Sequence, residues 1–162
     1  ASTQREVSAG NYRRLAGPHD GLEAGPHDVL RGGHGLVSTA QDYYHFCRML
    51  LNKGELDGVR YLGRKTWELM TRNHLAQELM PFGLAEPWPG LGMGLSVGVI
   101  TDPGLAGDPH STGTFWWAGA AATRFWIDPS EEMVGLVMAQ IQQNSFPLQM
   151  AFRAVAYAAI VD

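Results

Sequence analysis

The sequence predicts an α+β fold, an antiparallel β-sheet flanked by helices, and three stretches predict it. "STAQDYYHFCRMLLNKG" (38–54) carries apolar residues at helical spacing. "GMGLSVGVI", "GTFWWAG", "ATRFWIDP" and "EMVGLVMAQI", between residues 92 and 141, are short β-rich runs separated by turn residues. After Pro147, "LQMAFRAVAYAAIV" is rich in helix formers and again apolar at helical spacing, so the chain closes with a helix packed on the sheet.

In the first helix Thr39 stands at the cap and Asp42 follows three residues on, placed to accept from the cap amide and to favour the positive dipole end. Tyr43, Phe46, Leu50 and Leu51, with Cys47 beside them, make its apolar stripe, and Gly54 is expected to supply the left-handed stop. Asp57-Gly58 within "ELDGVRYL" predicts a tight hairpin. "RKTWELMTRNHL" reads as a short helix that brings Trp67 near Met70. "GMGLSVGVI" is expected to form one strand, and Asp128-Pro129-Ser130-Glu131 to join the last two strands.

Composition bounds the function. The chain has 162 residues, 45% hydrophobic and 17% charged, enough for one domain with a sizeable core and too apolar for disorder. The formal charge of −4 and the lack of a basic run give no reason to expect nucleic acid or an anionic membrane surface as partner, and a small neutral or weakly charged ligand fits better. No apolar run approaches the ~20 residues that span a bilayer, and the start has no signal-peptide core. One cysteine excludes a disulfide framework and a multi-cysteine zinc site without separating cytoplasm from periplasm. The first residue, Ala1, fits either removal of an initiator Met or a start inside a longer protein.

Two regions follow. Residues 1–35 form a loop-rich segment in which "AGPHD" occurs at 16–20 and again at 24–28, and residues 36–162 carry the α+β portion. His19-Asp20 and His27-Asp28 recur at a spacing that matches no helical metal motif, so a duplicated turn is the reading and neither metal nor cofactor is expected.

"GLSVG" (94–98) matches G-x-S-x-G, the pattern of a nucleophilic serine. A nucleophile elbow needs a strand, a strained turn and then a helix, whereas the next helical pattern here lies some fifty residues away. Ser96 is therefore disfavoured as nucleophile, and Gly94 and Gly98 are read as places where another backbone or a ligand approaches closely. Asp108 and His110 complete the triad order on paper, but they sit in a Gly/Pro loop with nothing evident to orient them.

Three blocks taken together, "GGHGLVSTAQDYYHFCRMLLNKGELDGVRYLGRKTWELMTRNHL", "GMGLSVGV" and "WWAGAAATRFWIDPSEEMVGLVMAQ", resemble the C-terminal part of the serine β-lactamase-like superfamily, which holds class C β-lactamases, D-alanyl-D-alanine carboxypeptidases and family VIII carboxylesterases. The resemblance implies an acyl-enzyme mechanism with a serine nucleophile in S-x-x-K, a tyrosine base in Y-x-N or a related motif, and a third motif on the edge strand of the sheet. The first motif is absent, because Leu50 and Leu62 stand three residues before the only lysines, Lys53 and Lys65. None of the five tyrosines has Asn two residues later.

The third motif carries over onto Trp117-Ala118-Gly119, where lactamases have Lys-Thr-Gly and family VIII esterases a Trp-Gly-Gly type sequence. Ala118 departs from the esterase pattern. The resemblance places the backbone N–H of Ala120 in the oxyanion hole, makes Trp117, Ala118 and Gly119 substrate-binding, and leaves His34 of "GGHG" either lining the pocket or filling a turn. Trp117 in place of a cation favours esters or amides without a free carboxylate.

The expectation is a C-terminal portion of a serine hydrolase that needs the N-terminal portion of the same hydrolase as partner, since half a sheet exposes apolar surface and an unpaired edge. A non-catalytic α+β module, binding a ligand or assembling with itself, is the alternative.

Overall fold

The computed structural model describes residues 4–8, 11–14, 36, 38–83, 86–142 and 147–161. The first strong helical pattern becomes α1 (Ala40–Leu51), capped by Thr39, whose Oγ1 accepts from the Asp42 N–H at 3.1 Å. The Asp42 carboxylate accepts from the Thr39 hydroxyl at 2.7 Å rather than from the cap amide. At the other end Lys53 (φ 55°) takes the first left-handed position, one residue before the expected Gly54. The Gly54 N–H bonds Met49 O at 2.9 Å and the Lys53 N–H bonds Leu50 O at 3.0 Å, which closes the helix as a Schellman motif. Gly54 also has positive φ, and a Cβ there would collide with Leu62 O. Cys47, Met49 and Leu50 are the buried residues of α1, and Phe46, expected in the stripe, lies at its exposed margin against Tyr43.

β3 (Glu55–Leu56) and β4 (Val59–Arg60) pair across Asp57-Gly58, both at positive φ as a two-residue I′ turn requires. α2 (Arg64–Met70) sets Trp67 edge-on to Phe115 at 6.1 Å. The N-terminal segment contributes β1 (Gln4–Ser8) and β2 (Asn11–Arg14), an antiparallel pair.

The main sheet is antiparallel, in the order β5-β6-β7-β8-β9, from β5 (Leu91–Met93), β6 (Gly98–Ile100), β7 (Phe115–Ala118), β8 (Arg124–Asp128) and β9 (Met133–Val137). Three sequence expectations are corrected here. "GMGLSVGVI" is not one strand: a turn at 94–97, closed by the Gly94 N–H to Val97 O at 2.7 Å, divides it into β5 and β6. The last run ends at Val137, and Ile141–Gln142 forms β10, which pairs in parallel with β1 in a separate sheet. The strand carrying the third motif, β7, is central rather than at the edge. The sequence reading also lacked α3 (Pro103–Ala106), capped by Asp102 with Pro at N1.

Alternation along the strands feeds two cores. Phe115, Phe125 and Ile127 point to one face with Cys47, Met49 and Leu50 of α1, while Trp116 and Trp126 point to the other with Ala156 and Tyr157 of α4 (Leu148–Ala158). All five residues of β8 are buried. The closing helix thus packs on the sheet as expected, and α1 covers the opposite face. No helix among the described residues is long and apolar enough to cross a membrane.

α4 is held by ionic contacts. Arg153, 3% exposed, pairs with Asp108, whose Oδ1 lies 2.8 Å from His110 Nδ1 and accepts from the His110 backbone N–H at 3.3 Å. The Tyr157 hydroxyl donates to Asp128 Oδ2 at 2.7 Å, and Asp128 also accepts from the Ser111 and Ser130 N–H groups at 3.0 Å. Arg124 lies 3.8 Å over the Trp116 ring. Burial pushes the His110 pKa down, against the pull of Asp108, so the imidazole is neutral near pH 7. Burial alone would raise the Asp108 carboxyl, but the His110 hydrogen bond and the Arg153 charge outweigh it and hold it below the usual carboxylate range.

Two predictions follow from this packing. A Cβ on Gly135 would fall inside the Trp126 indole, so Gly135→Ala should cost about 1–3 kcal/mol in urea unfolding, and an unchanged midpoint would refute the packing of β9 on β8. Because the folded His110 binds its proton less readily than the unfolded one, its contribution to stability is complete above a pH of about 6.5 and is lost as pH falls below it. Lowered Asp108 and Asp128 pKa values add a second loss below the usual carboxylate range, near 3.8. Unfolding free energy measured between pH ~8 and ~5 should fall on the acid side, and His110→Gln should flatten that limb; a rise on the acid side would contradict the neutral buried imidazole.

Candidate active site

The W-A-G-A stretch lies where β7 ends and turns into β8. Trp117 is half-buried against the α1-side core, with its ring stacked at 6.3 Å on that of Trp116. Ala118 packs on the opposite face. The Gly119 N–H bonds Thr123 O at 2.9 Å, and the Ala122 N–H bonds Gly119 O at 3.1 Å. With Ala122 at φ 61°, this is a three-residue hairpin loop built on a type I turn, with Ala120 and Ala121 as its central residues. A Cβ on Gly119 would collide with Thr123 Oγ1.

The loop is braced. Ala121 O accepts from the Ile141 N–H at 3.0 Å, and Ile141 pairs with Gln4 in the second sheet. Ala120 is exposed, and among the described residues its N–H has no hydrogen-bond partner. An uncommitted backbone N–H on a braced turn is a donor whose reorganisation cost is low, which is what a developing oxyanion uses.

The antiparallel register brings a second turn to the same end of the sheet. Gly98 of β6 pairs with Trp116 and the ladder stops there, so the 94–97 turn lies beside the end of β7. Ser96 sits in that turn, exposed and at φ 68°. Its backbone has the left-handed strain of a nucleophile elbow, but a strand follows rather than a helix, and its hydroxyl has no hydrogen-bond partner among the described residues. Gly94 and Gly98 behave as read from the sequence: a Cβ on Gly94 would strike Met70 O, and one on Gly98 would come within 3.2 Å of the Trp116 ring.

Asp108 and His110 require a correction. They are oriented, by Arg153 and by each other, yet they belong to the loop between β6 and β7, at the opposite end of β6 from Ser96. The His110 side chain is fully buried against Trp126 and Tyr157, so no exposed serine reaches it. The signal that finds this cluster in the sequence is Arg153, the only charged residue in a mostly apolar helix.

Cys47 is a core residue whose thiol burial pushes up to about 12, which removes the thiolate. His34 and the repeated His-Asp pairs lie outside the described residues. Among the described residues no group of three or more His, Cys, Asp or Glu could hold a metal ion.

Comparison with known proteins agrees with the fold. The sequence profile of the Beta-lactamase family matches residues 2–160. Protein Rv1367c of Mycobacterium tuberculosis strain H37Rv is 42% identical over 113 residues, which are 67% of this chain and 28% of that protein. The solved structure of EstCE1, described as a hydrolase with promiscuous acyltransferase activity, superposes with a TM-score of 0.77 at 19% identity, covering 97% of this chain and 43% of its own. A mutant of simvastatin synthase (LovD) from Aspergillus terreus gives 0.77 at 22% identity, covering 98% and 42%. A penicillin-binding protein homologue from Caulobacter crescentus gives 0.55 at 18% identity, covering 71% and 30%. The chain spans less than half the length of each of these relatives. With a family match over almost its whole length and an α+β fold shared with a hydrolase and a simvastatin synthase, this chain belongs to the Beta-lactamase family, within the serine β-lactamase-like superfamily.

Proposed function

We propose that this chain acts as the C-terminal portion of a serine hydrolase of the esterase or β-lactamase-like kind, contributing the oxyanion-hole strand but not the nucleophile. The observation that carries the reading is the uncommitted N–H of Ala120 at the end of β7, in a chain that contains no S-x-x-K. The nucleophilic serine, its lysine and the tyrosine base belong to an N-terminal portion of the same hydrolase, the partner of this chain.

In the assembled enzyme the serine oxygen attacks the carbonyl carbon of an ester or amide, and its proton passes to the base. The carbonyl oxygen becomes an oxyanion, and the Ala120 N–H, fixed before the reaction, stabilises it by about 3 kcal/mol. Collapse expels the alcohol or amine, which takes the proton, and leaves an acyl-enzyme for water to hydrolyse. Trp117 offers an apolar indole face where a cation would pair with a substrate carboxylate, so the preferred substrates are esters or amides lacking one. The structural relative described as a hydrolase with acyltransferase activity supports this reaction class.

A fluorophosphonate that labels activated serines tests the reading on protein purified from its source. The label should appear on a second polypeptide carrying S-x-x-K, and Ser96→Ala should leave labelling unchanged; label on this 17.7 kDa chain would sink the proposal. In the assembled enzyme, Trp117→Lys should shift the kcat/KM ratio toward carboxylate-bearing substrates by about tenfold, as one charge-assisted hydrogen bond supplies. An unmoved ratio would remove Trp117 from substrate recognition.

A further inference from the structure

Between the main sheet and α4 two buried arginines face one carboxylate. Arg124 of β8 is 7% exposed and Arg153 of α4 3%, and guanidinium groups keep their charge at pH 7. Asp108 pairs with Nη2 of Arg153. His110 beside it is neutral, and Asp128 spends its oxygens on the Tyr157 hydroxyl and on the Ser111 and Ser130 N–H groups. One positive charge is therefore left over at the two arginines. Its effect falls on Arg124: burial first and the Arg153 charge second push its pKa down to about 10, and Asp108 pulls it back less.

The donors tell the same story. The Arg124 guanidinium lies flat over Trp116, with Cζ 3.8 Å from the ring centroid, a contact that uses the face of the group and leaves its in-plane N–H bonds free. Nε and Nη2 of Arg124 are buried and have no hydrogen-bond partner among the described residues. These two nitrogens share one edge of the guanidinium and point their N–H bonds in parallel, the fork that takes a carboxylate or a halide. On Arg153, Nε and Nη1 are likewise buried without a partner among the described residues. Water would satisfy such donors but would leave the charge uncompensated, and a buried charge needs a counter-charge.

We propose that Arg124 and Arg153 form a buried binding site for a small monovalent anion of the chloride or short-carboxylate class. The Nε–Nη2 edge of Arg124 grips it, and the remaining N–H groups of Arg153 complete its shell. One surplus charge selects a monovalent ion, since a divalent one would reverse the imbalance rather than cancel it. Burial over Trp116 and beneath α4 selects a small one. The bound charge ties β8 to α4 at a point where no hydrogen bond among the described residues joins the two arginines' elements directly. The site lies under α4 rather than at the Ala120 turn, and it stands independently of the split-hydrolase reading.

Thermal unfolding tests the inference on protein purified from its source, with sodium gluconate replaced stepwise by sodium chloride at constant ionic strength. Gluconate is too bulky for a buried site, so the midpoint should rise by about 2–4 °C for each tenfold increase in chloride above its Kd. Arg124→Met removes the fork together with the surplus charge and should abolish the rise. Arg124→Lys keeps the charge without the fork and should weaken chloride binding about tenfold, a readout that holds even where the Met variant does not fold. A wild-type midpoint indifferent to chloride overturns the proposal, whether water or a carboxylate from another stretch of chain then serves Arg124. An equal rise in a folded Arg124→Met or Arg124→Lys variant also overturns it, since the ion would then act elsewhere on the protein.

Discussion

The structure depends on β8 being buried on both faces. A strand in that position must supply two cores at once, and its alternation does so: Phe125 and Ile127 go to the α1 side, while Arg124, Trp126 and Asp128 go to the α4 side. Two of those five side chains are ionic, and a buried charge must be paired or stacked. Asp128 collects the Tyr157 hydroxyl and the Ser111 amide, and Arg124 stacks on Trp116, so the burial of one strand draws α4 and the loop before β7 into place.

This arrangement separates the two ends of the sheet by task. The end where β8 finishes is fastened by Asp108, His110, Arg153, Asp128 and Tyr157 and is closed to solvent. The end where β7 finishes carries the exposed Ala120 amide and the 94–97 turn, and its stiffness comes from the backbone bond between Ala121 and Ile141. Rigidity is thus supplied from one side and from beneath, and the open end carries the exposed turns. Arg153 shows how strongly the fastening is specified, since leaving Asp108 buried without its partner would cost about 3–5 kcal/mol.

α1, the Asp57-Gly58 hairpin, β8 and α4 were legible in the sequence because each has a strong local signature: a cap with a periodic stripe, a two-residue positive-φ turn, an alternating run that ends in Asp-Pro, and a Pro followed by helix formers. Glycine-rich "GLSVG" hid a turn, because residues that suit a tight turn also fit a strand approached closely by its neighbours. "VMAQI" hid a break, because β10 pairs with β1, a contact fixed by residues 137 positions away. The central place of β7 and the orientation of His110 are likewise tertiary facts that no local pattern records. At the candidate site the family resemblance pointed to Trp117 to Ala120, but no local pattern records that the Ala120 N–H has no partner among the described residues.

That amide offers the most direct measurement. Ala120 occupies the first central position of a type I turn, where proline's fixed φ is well accommodated, so Ala120→Pro deletes the N–H and leaves the loop intact. In the assembled hydrolase the account predicts a fall in kcat of about 10²–10³ with an unchanged melting temperature. An unchanged kcat in a folded Ala120→Pro enzyme would contradict it and would return this turn to a purely architectural role.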